Sequence, residues 1–423
     1  MDNWSEESAV KTVHQFNQLG KQEKISLLAY LNDHFPPSVY NEQVCLRRRA
    51  VENLSNNRHI IAAVTQHYPV CITQEDIAGT LSDLSGYAIM LTAGGEGERL
   101  RLSLEKQGVP ASRLENFTKA TYPLPGFYRD FGTLQVNLSV LSHICKKTGL
   151  SIPVIVTTGP PSSMTARVIP SIVEQYKSFG LEKLLIMPQE ERLHLTNEEQ
   201  IVYTVSNGKP RPVTNPDETG GPIMKLKKQP IEGTTTALAW LRNLGCTKII
   251  LLQGTALYSP ALIGTIAAAG KHHDGLGVGI ARSSFPENDP FGTYVLIEEH
   301  ATKRLIIAEQ EVRNTRTRML QDNDNTYYLP YNTGFYSFDI SLIEKNDLPD
   351  YATPPKEILP GLPRSPKIGY AATDILSFAA DPAVLTINHS LYGVLKKVTD
   401  LARLSDLGKH MDLDKICRAV NGS

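Results

Sequence analysis

Short, uninterrupted apolar runs set the rhythm of the middle of the chain. They are Ala88-Ile89-Met90-Leu91, Val154-Ile155-Val156, Leu184-Leu185-Ile186-Met187, Ile249-Ile250-Leu251-Leu252, Val278-Gly279-Ile280 and Tyr294-Val295-Leu296-Ile297. Runs of this length, apolar at successive positions, are expected of strands buried on both faces. Helical periodicity fills several of the gaps between them, at 133–147, 163–178 and 234–244. Strands alternating with helices predict an α/β fold whose sheet is parallel or mostly parallel and covered on both sides. Ligands of such sheets bind beyond the carboxyl ends of the strands.

The flanks read differently. Up to about residue 85 the pattern is helical: Val10, Val13 and Phe16 precede Gly20, then Ile25, Leu28 and Leu31 lead to Asn32. Pro36-Pro37 breaks the chain before a polar helical stretch at 41–57. Residues 205–230, rich in Pro, Gly, Asn and Lys, are expected to form an irregular loop over the ligand edge. A proline-rich stretch from Pro349 to Pro366 precedes a tail with a helix near 399–420. The expected organisation is a helical segment (1–85), a main α/β domain (86–365) and a small C-terminal region (366–423).

Composition narrows the class. The 423 residues carry a formal net charge of −1, without the dense excess of Lys and Arg that non-specific nucleic-acid binding needs. The one compact basic run, Arg47-Arg48-Arg49, reads as a solvated helix face. Five scattered cysteines (Cys45, Cys71, Cys145, Cys246, Cys417), with no C-x-x-C pair, suit reduced thiols in a cytoplasmic protein rather than a disulfide framework or zinc ribbon. The N-terminus lacks the basic and apolar regions of a signal peptide, and no apolar stretch approaches the roughly 20 residues that span a bilayer.

Chemistry is concentrated after the first strand. Gly94-Gly95-Glu96-Gly97-Glu98-Arg99-Leu100 follows it directly, and glycines there let backbone N–H groups approach a phosphate. Leu100 stands where a dinucleotide fingerprint needs its third glycine, and no Gly-Lys-Ser/Thr follows to make a P-loop. Arg99 adds a fixed positive charge suited to a polyphosphate.

This loop resembles that of the UDP-sugar pyrophosphorylases, the UDP-N-acetylhexosamine and UDP-glucose enzymes among them, which read G-G-x-G-T-R-L or, in the broad-specificity branch, G-G-x-G-E-R-L. Lys119, in Thr118-Lys119-Ala120-Thr121-Tyr122-Pro123, fills the place of the family's lysine, with Arg101–Phe117 as an insertion. Further pieces follow in the family's order. Met187-Pro188-Gln189 resembles its nucleotide segment, Gly292–Val295 its "G-x-l-v" strand and Ile307-Ala308-Glu309 its "v-x-E" step. Tyr331-Asn332-Thr333-Gly334 resembles its "f-N-x-g" turn, and Tyr392–Lys396 with Thr399-Asp400-Leu401 its "F-x-P-V-K" and "s-D-L" pair.

The resemblance implies a Rossmann-like nucleotidyltransferase fold. It also implies uridylyl transfer from UTP to a sugar 1-phosphate with release of pyrophosphate, assisted by Mg²⁺. By the same resemblance Gly94, Gly95, Gly97, Gln189, Gly233, Thr234, Gln253 and Gly254 would hold the nucleotide. Arg99, Lys119 and Lys396 would neutralise the reacting phosphates, and Thr255, Glu309 and Asn332 would fix the sugar.

Two segments depart from the family. Where it carries a metal-binding aspartate after the fourth apolar run, this chain has Gln253-Gly254-Thr255-Ala256, and neither register leaves a carboxylate. The sugar-side "G-H-G-D" segment appears as Pro230-Ile231-Glu232-Gly233-Thr234-Thr235-Thr236-Ala237. Asp374 matches a late aspartate of the family and could hold the metal alone, with Asp217 and Glu218 as further acids. A nucleotide-binding pseudoenzyme with a regulatory or scaffolding role is therefore the alternative to an active transferase. Asp322-Asn323-Asp324 has the form of a glycosyltransferase D-x-D motif but lies in a polar stretch and follows no apolar strand.

Overall fold

The computed structural model describes residues 3–422 apart from 96, 207, 232, 234, 290, 311, 356 and 358–360. Two compact units are present, each assembled from separated segments. One comprises Met1–His59, Glu190–Gly221 and Leu348–Ala372; the other comprises Ile60–Gln189, Pro222–Asp347 and Thr373–Ser423. Among the described residues, no helix is long and apolar enough to cross a membrane.

The larger unit is organised by an eleven-stranded sheet. Its main path runs Cys71–Thr73, Pro382–Thr386, Gly275–Arg282, Tyr328–Asp339, Lys248–Gln253, Tyr87–Thr92, Val154–Thr158 and Leu184–Pro188. Neighbours on this path are parallel except at Tyr328–Asp339, which is antiparallel to the strand on either side. The architecture is mixed α/β with a mostly parallel sheet flanked by helices, as the apolar runs predict. All six of those runs are strands, and every residue of Val154–Thr158 is buried. The helix Thr133–Thr148 buries most of its length and stops at Gly149, whose φ of +72° closes the last turn at no steric cost. Ser163 and Ser259 cap the helices Met164–Gln175 and Pro260–Gly270 through their hydroxyls.

The register gathers several chain reversals at one edge. Gln253 lies beside Thr92, Thr92 beside Thr157, and Thr158 beside Pro188, so residues 93–97, Gln189 and Gly254-Thr255 all leave the sheet at its carboxyl end. Because Tyr328–Asp339 runs the other way, its amino-terminal half, with Tyr331 and Asn332, reaches the same edge. Strand Tyr392–Val394 pairs with Ala256–Tyr258, and Leu395 N–H donates to Thr255 O at 2.9 Å, which delivers Lys396 there too.

Several local expectations change. Tyr331–Gly334, expected as a turn, is an irregularity inside a twelve-residue strand. Gly334, at φ +78°, takes the conformation that a side chain would resist, and Asn332 Oδ1 accepts from its N–H at 2.8 Å. Segment 205–230 contains the hairpin Tyr203–Ser206 with Lys209–Pro212, the strand Thr214–Pro216 and the helix Gly221–Leu226. The C-terminal helix is two helices, Asp400–His410 and Leu413–Asn421, broken at Asp412 with φ +56°.

The smaller unit has its own core, in which Trp4, Phe16, Leu27, Leu31 and Phe35 pack with Leu193, Leu195 and Ile201. Its second core cluster joins Leu46 and Ala50 to Ala352 and Ile368. Asp217 belongs to this unit, where it is buried against Gly221 and Gly369 and its carbonyl accepts from Tyr370 N–H at 3.1 Å.

Candidate functional site

The glycine loop is shaped by what passes over it. A Cβ on Gly94 would lie 1.9 Å from Gln189 Oε1, so that amide sits where a side chain would be. A Cβ on Gly97 would lie 2.6 Å from Lys119 Cβ, and Gly97 has φ +77°. These are close approaches of two other site candidates to the loop, and they account for glycine at both positions. Gly95 differs: it is exposed, and nothing lies within 4 Å of where its Cβ would be. The loop feeds the helix Glu98–Lys106, whose first turn carries Arg99. Arg101, two residues on, is neutralised by Glu98 and Glu105, whereas Arg99 has no ion-pair partner among the described residues.

Three cations share this region. Lys119 is half-buried, and its pKa is pulled down to about 8, first by burial and then by the charge of Lys396, with Asp400 opposing and Arg99 adding a smaller push. Lys396 is lowered by desolvation, opposed by the carboxylates of Asp400, Glu309 and Asp289. Among the described residues neither lysine forms an ion pair. The Asp400 carboxylate instead accepts from the backbone N–H groups of Lys396 (2.8 Å) and Lys397 (2.7 Å), which fixes the start of that segment. Arg99 and Lys396 are exposed, so the cost of an unpaired charge falls on half-buried Lys119, and an anion would relieve it.

The opposite side is built around the dipeptide Phe291-Gly292. A Cβ on Gly292 would lie 2.8 Å from Glu309 Oε1, and Gly292 O accepts from Asn332 N–H at 2.8 Å. The Asn332 side chain accepts from the Tyr294 hydroxyl (2.9 Å) and donates to the Tyr336 hydroxyl (2.8 Å). Glu309, Asn332 and Lys396 thus converge, although they lie on three separate stretches of chain. Gln253 donates through Nε2 to Thr333 O at 2.9 Å, fastening the two adjacent strands.

Other assigned positions behave differently. Gly254 is buried with both backbone groups engaged: its N–H donates to Thr92 O (2.9 Å), and its carbonyl accepts from the Thr133 hydroxyl (2.7 Å). A Cβ there would meet Thr92 O at 3.0 Å and Ala93 Cβ at 3.2 Å, so Gly254 is a tight connection between strand and turn. Thr255 is partly exposed next to Lys396. Gly233 is exposed with φ +77° and has nothing within 4 Å of a Cβ position; Thr234 lies outside the described residues.

Asp374 sits in the short helix Ala372–Phe378, and burial pushes its pKa up to about 7. Its carboxylate forms no ion pair among the described residues. Together with Glu309 it raises the already buried Tyr336 phenol, so both acids act on the ring that holds Asn332. No group of three or more His, Cys, Asp or Glu that could hold a metal occurs among the described residues.

Some participants escape sequence reasoning. Lys225 donates to Pro188 O at 2.5 Å, beside Gln189. Buried Asp289 joins Arg282 (2.5 Å) and Arg313 (2.7 Å), while Phe291 and Tyr331 stack with ring centroids 4.8 Å apart. Residues 282, 289 and 313 follow neither strand nor helix periodicity, so nothing in the sequence marked their burial.

No protein-family model matches the sequence, and no curated protein sequence matches it. Solved structures do share its fold. The UDP-N-acetylglucosamine pyrophosphorylase of Trypanosoma brucei, in complex with an inhibitor, superposes with a TM-score of 0.63 at 12% identity, over 91% of this chain and 79% of that one. A variant of the UDP-glucose pyrophosphorylase of Leishmania major, in complex with UDP-glucose, gives 0.62 at 11% identity over 90% and 78%. The provisionally assigned UDP-N-acetylglucosamine pyrophosphorylase of Entamoeba histolytica gives 0.61 at 17% identity over 79% and 84%. At such identities the likeness establishes a common fold.

Proposed function

We propose that this protein is a divergent UDP-sugar pyrophosphorylase, transferring a uridylyl group from UTP to a sugar 1-phosphate. The observation that carries this reading is the convergence of Gly94, Gly97, Gln189 and Lys119 on one side with Glu309, Asn332 and Lys396 on the other. The fold shared with pyrophosphorylases supports it.

In the reaction a phosphate oxygen of the sugar 1-phosphate attacks the α-phosphorus in line. The new O–P bond forms as the bond to the bridging oxygen breaks, and pyrophosphate departs with that electron pair. The protein contributes alignment and charge. Gly95, open to solvent at the loop's crest, lets the triphosphate approach the backbone, and Gln189 meets the base. Arg99 and Lys119 neutralise the triphosphate, Lys396 the sugar phosphate and the bridging oxygen, and Glu309 and Asn332 orient sugar hydroxyls. At an effective dielectric near 20, a unit charge about 4 Å from another contributes about 4 kcal/mol, so three cations outweigh any single hydrogen bond here.

The described residues do not build a Mg²⁺ site. Gly254 and Thr255 supply no carboxylate, and Asp374 is one acid where a hard cation needs several oxygen donors. An ion such as Mg²⁺ would therefore be held chiefly by the substrates' phosphates, and the steps above rest on the three cations. The carboxylate-free Gln253–Ala256 segment equally favours a second reading, a nucleotide-binding pseudoenzyme with a regulatory role. Calorimetry with UTP, paired with pyrophosphate release, separates the two. Binding with turnover supports the transferase, binding without turnover supports the pseudoenzyme, and no binding contradicts both.

A further inference from the structure

The dipeptide Phe291-Gly292 touches all three residues of the sugar side, and it is held unusually firmly. Arg313 Nη1 donates to Phe291 O at 3.0 Å, and Phe291 N–H donates to Asp289 Oδ1 at 3.3 Å. Both backbone groups of Phe291 are thus tied to a buried ion cluster, in which Arg282, Asp289 and Arg313 have side chains exposed by only 8%, 4% and 1%. Arg282 and Arg313 further donate to Thr293 Oγ1, at 2.9 and 3.3 Å. The Phe285 ring lies under both guanidinium groups, at 4.5 and 5.3 Å. Such a cluster contributes little net stability but specifies one backbone geometry.

The Phe291 ring spends that rigidity on two contacts. One is the stack on Tyr331, with planes 26° apart. The other is the Lys396 ammonium, 4.1 Å from the ring centroid. Lys396 otherwise ends a long flexible stem, has no ion-pair partner among the described residues, and faces the carboxylates of Asp400, Glu309 and Asp289 at longer range. Among the described residues, no other short-ranged contact chooses one rotamer or keeps the ammonium from turning to those acids. A cation over an aromatic face is attracted without being neutralised, so its charge stays available to an anion.

We propose that Phe291 is the positioning residue for Lys396, holding its ammonium over the ring face and available to an anion at the carboxyl end of the sheet. The buried Arg282–Asp289–Arg313 cluster is the brace that keeps the ring in place. That the anion is a sugar 1-phosphate rests on the function proposed above; the contact itself does not.

The experiment compares wild type, Phe291→Leu and Phe291→Tyr in two readouts. In the first, lysines are reductively ¹³C-methylated, which keeps their charge, and the Lys396 signal is assigned from its loss in Lys396→Arg. The ring current of Phe291 should place that signal upfield of the exposed lysines. Phe291→Leu should return it to their range, and Phe291→Tyr should leave it displaced. In the second, Phe291→Leu should lower kcat for pyrophosphate release about tenfold with KM changed less, while Phe291→Tyr stays near wild type. A Lys396 signal insensitive to Phe291→Leu overturns the proposal, as does a Leu variant with wild-type kcat. If wild type releases no pyrophosphate yet the Lys396 signal behaves as described, the positioning stands and the transferase reading falls.

Discussion

Replacing Lys119 by methionine keeps the stem that packs against Gly97 and deletes the ammonium. Burial, reinforced by Lys396 and Arg99, brings the Lys119 pKa from 10.5 to about 8 in the folded protein. At about 1.4 kcal/mol per pKa unit, keeping the proton on in the native state costs on the order of 3 kcal/mol. Lys119 is only half-buried, so screening by solvent brings the measurable part to about 1–2 kcal/mol. The sign follows from linkage. Below about pH 8 the lysine is charged in both states and the full penalty applies. Between about 8 and 10.5 only the unfolded chain keeps the proton, so the penalty fades as pH rises, and above 10.5 it is gone. Urea denaturation at pH 7 should therefore find Lys119→Met more stable than wild type by about 1–2 kcal/mol, with the gap closing as pH is raised past 10. Saturating UTP should reverse the order by stabilising wild type more. A variant no more stable at pH 7, or a gap indifferent to pH, refutes the view that Lys119 is held charged at a cost that an anion relieves.

Three further outcomes follow from the same geometry. The pH profile of kcat/KM for UTP should decline above about pH 8 as the free protein loses the Lys119 cation, and Lys119→Arg should carry that decline upward; a profile flat to pH 10 contradicts it. Gly94→Ala places a methyl group on the buried Gln189 amide and 3.1 Å from Gly159 N, so the amide must swing away, and calorimetry should show UTP binding weakened about three- to tenfold, with thermal stability lowered as well. Asp289→Asn leaves two buried guanidinium groups without their counter-charge and should cost about 3–5 kcal/mol in urea denaturation.

What the sequence displayed follows from physics that acts locally. Runs such as Ile249–Leu252 are legible because a strand buried on both faces needs apolar side chains at every position. The glycine loop is legible because close approach and positive φ both demand glycine, and the structure shows each demand at Gly94 and Gly97. Strand Tyr328–Asp339 was hidden by Pro330, Asn332 and Gly334, residues that usually mark turns but here shape an irregularity within the strand. Phe291 gave no sign because its role depends on Lys396, more than one hundred residues away, and on a charge cluster with no periodic pattern. The segments Glu190–Gly221 and Leu348–Ala372 likewise join the amino-terminal helices by long-range packing that no local pattern announces.

The most direct measurement is pyrophosphate release from UTP across a panel of sugar 1-phosphates, with Mg²⁺ or Mn²⁺ present, for wild type and Lys119→Met. The account predicts turnover with at least one sugar phosphate and its loss in the variant. Background release from wild type across the whole panel would contradict it.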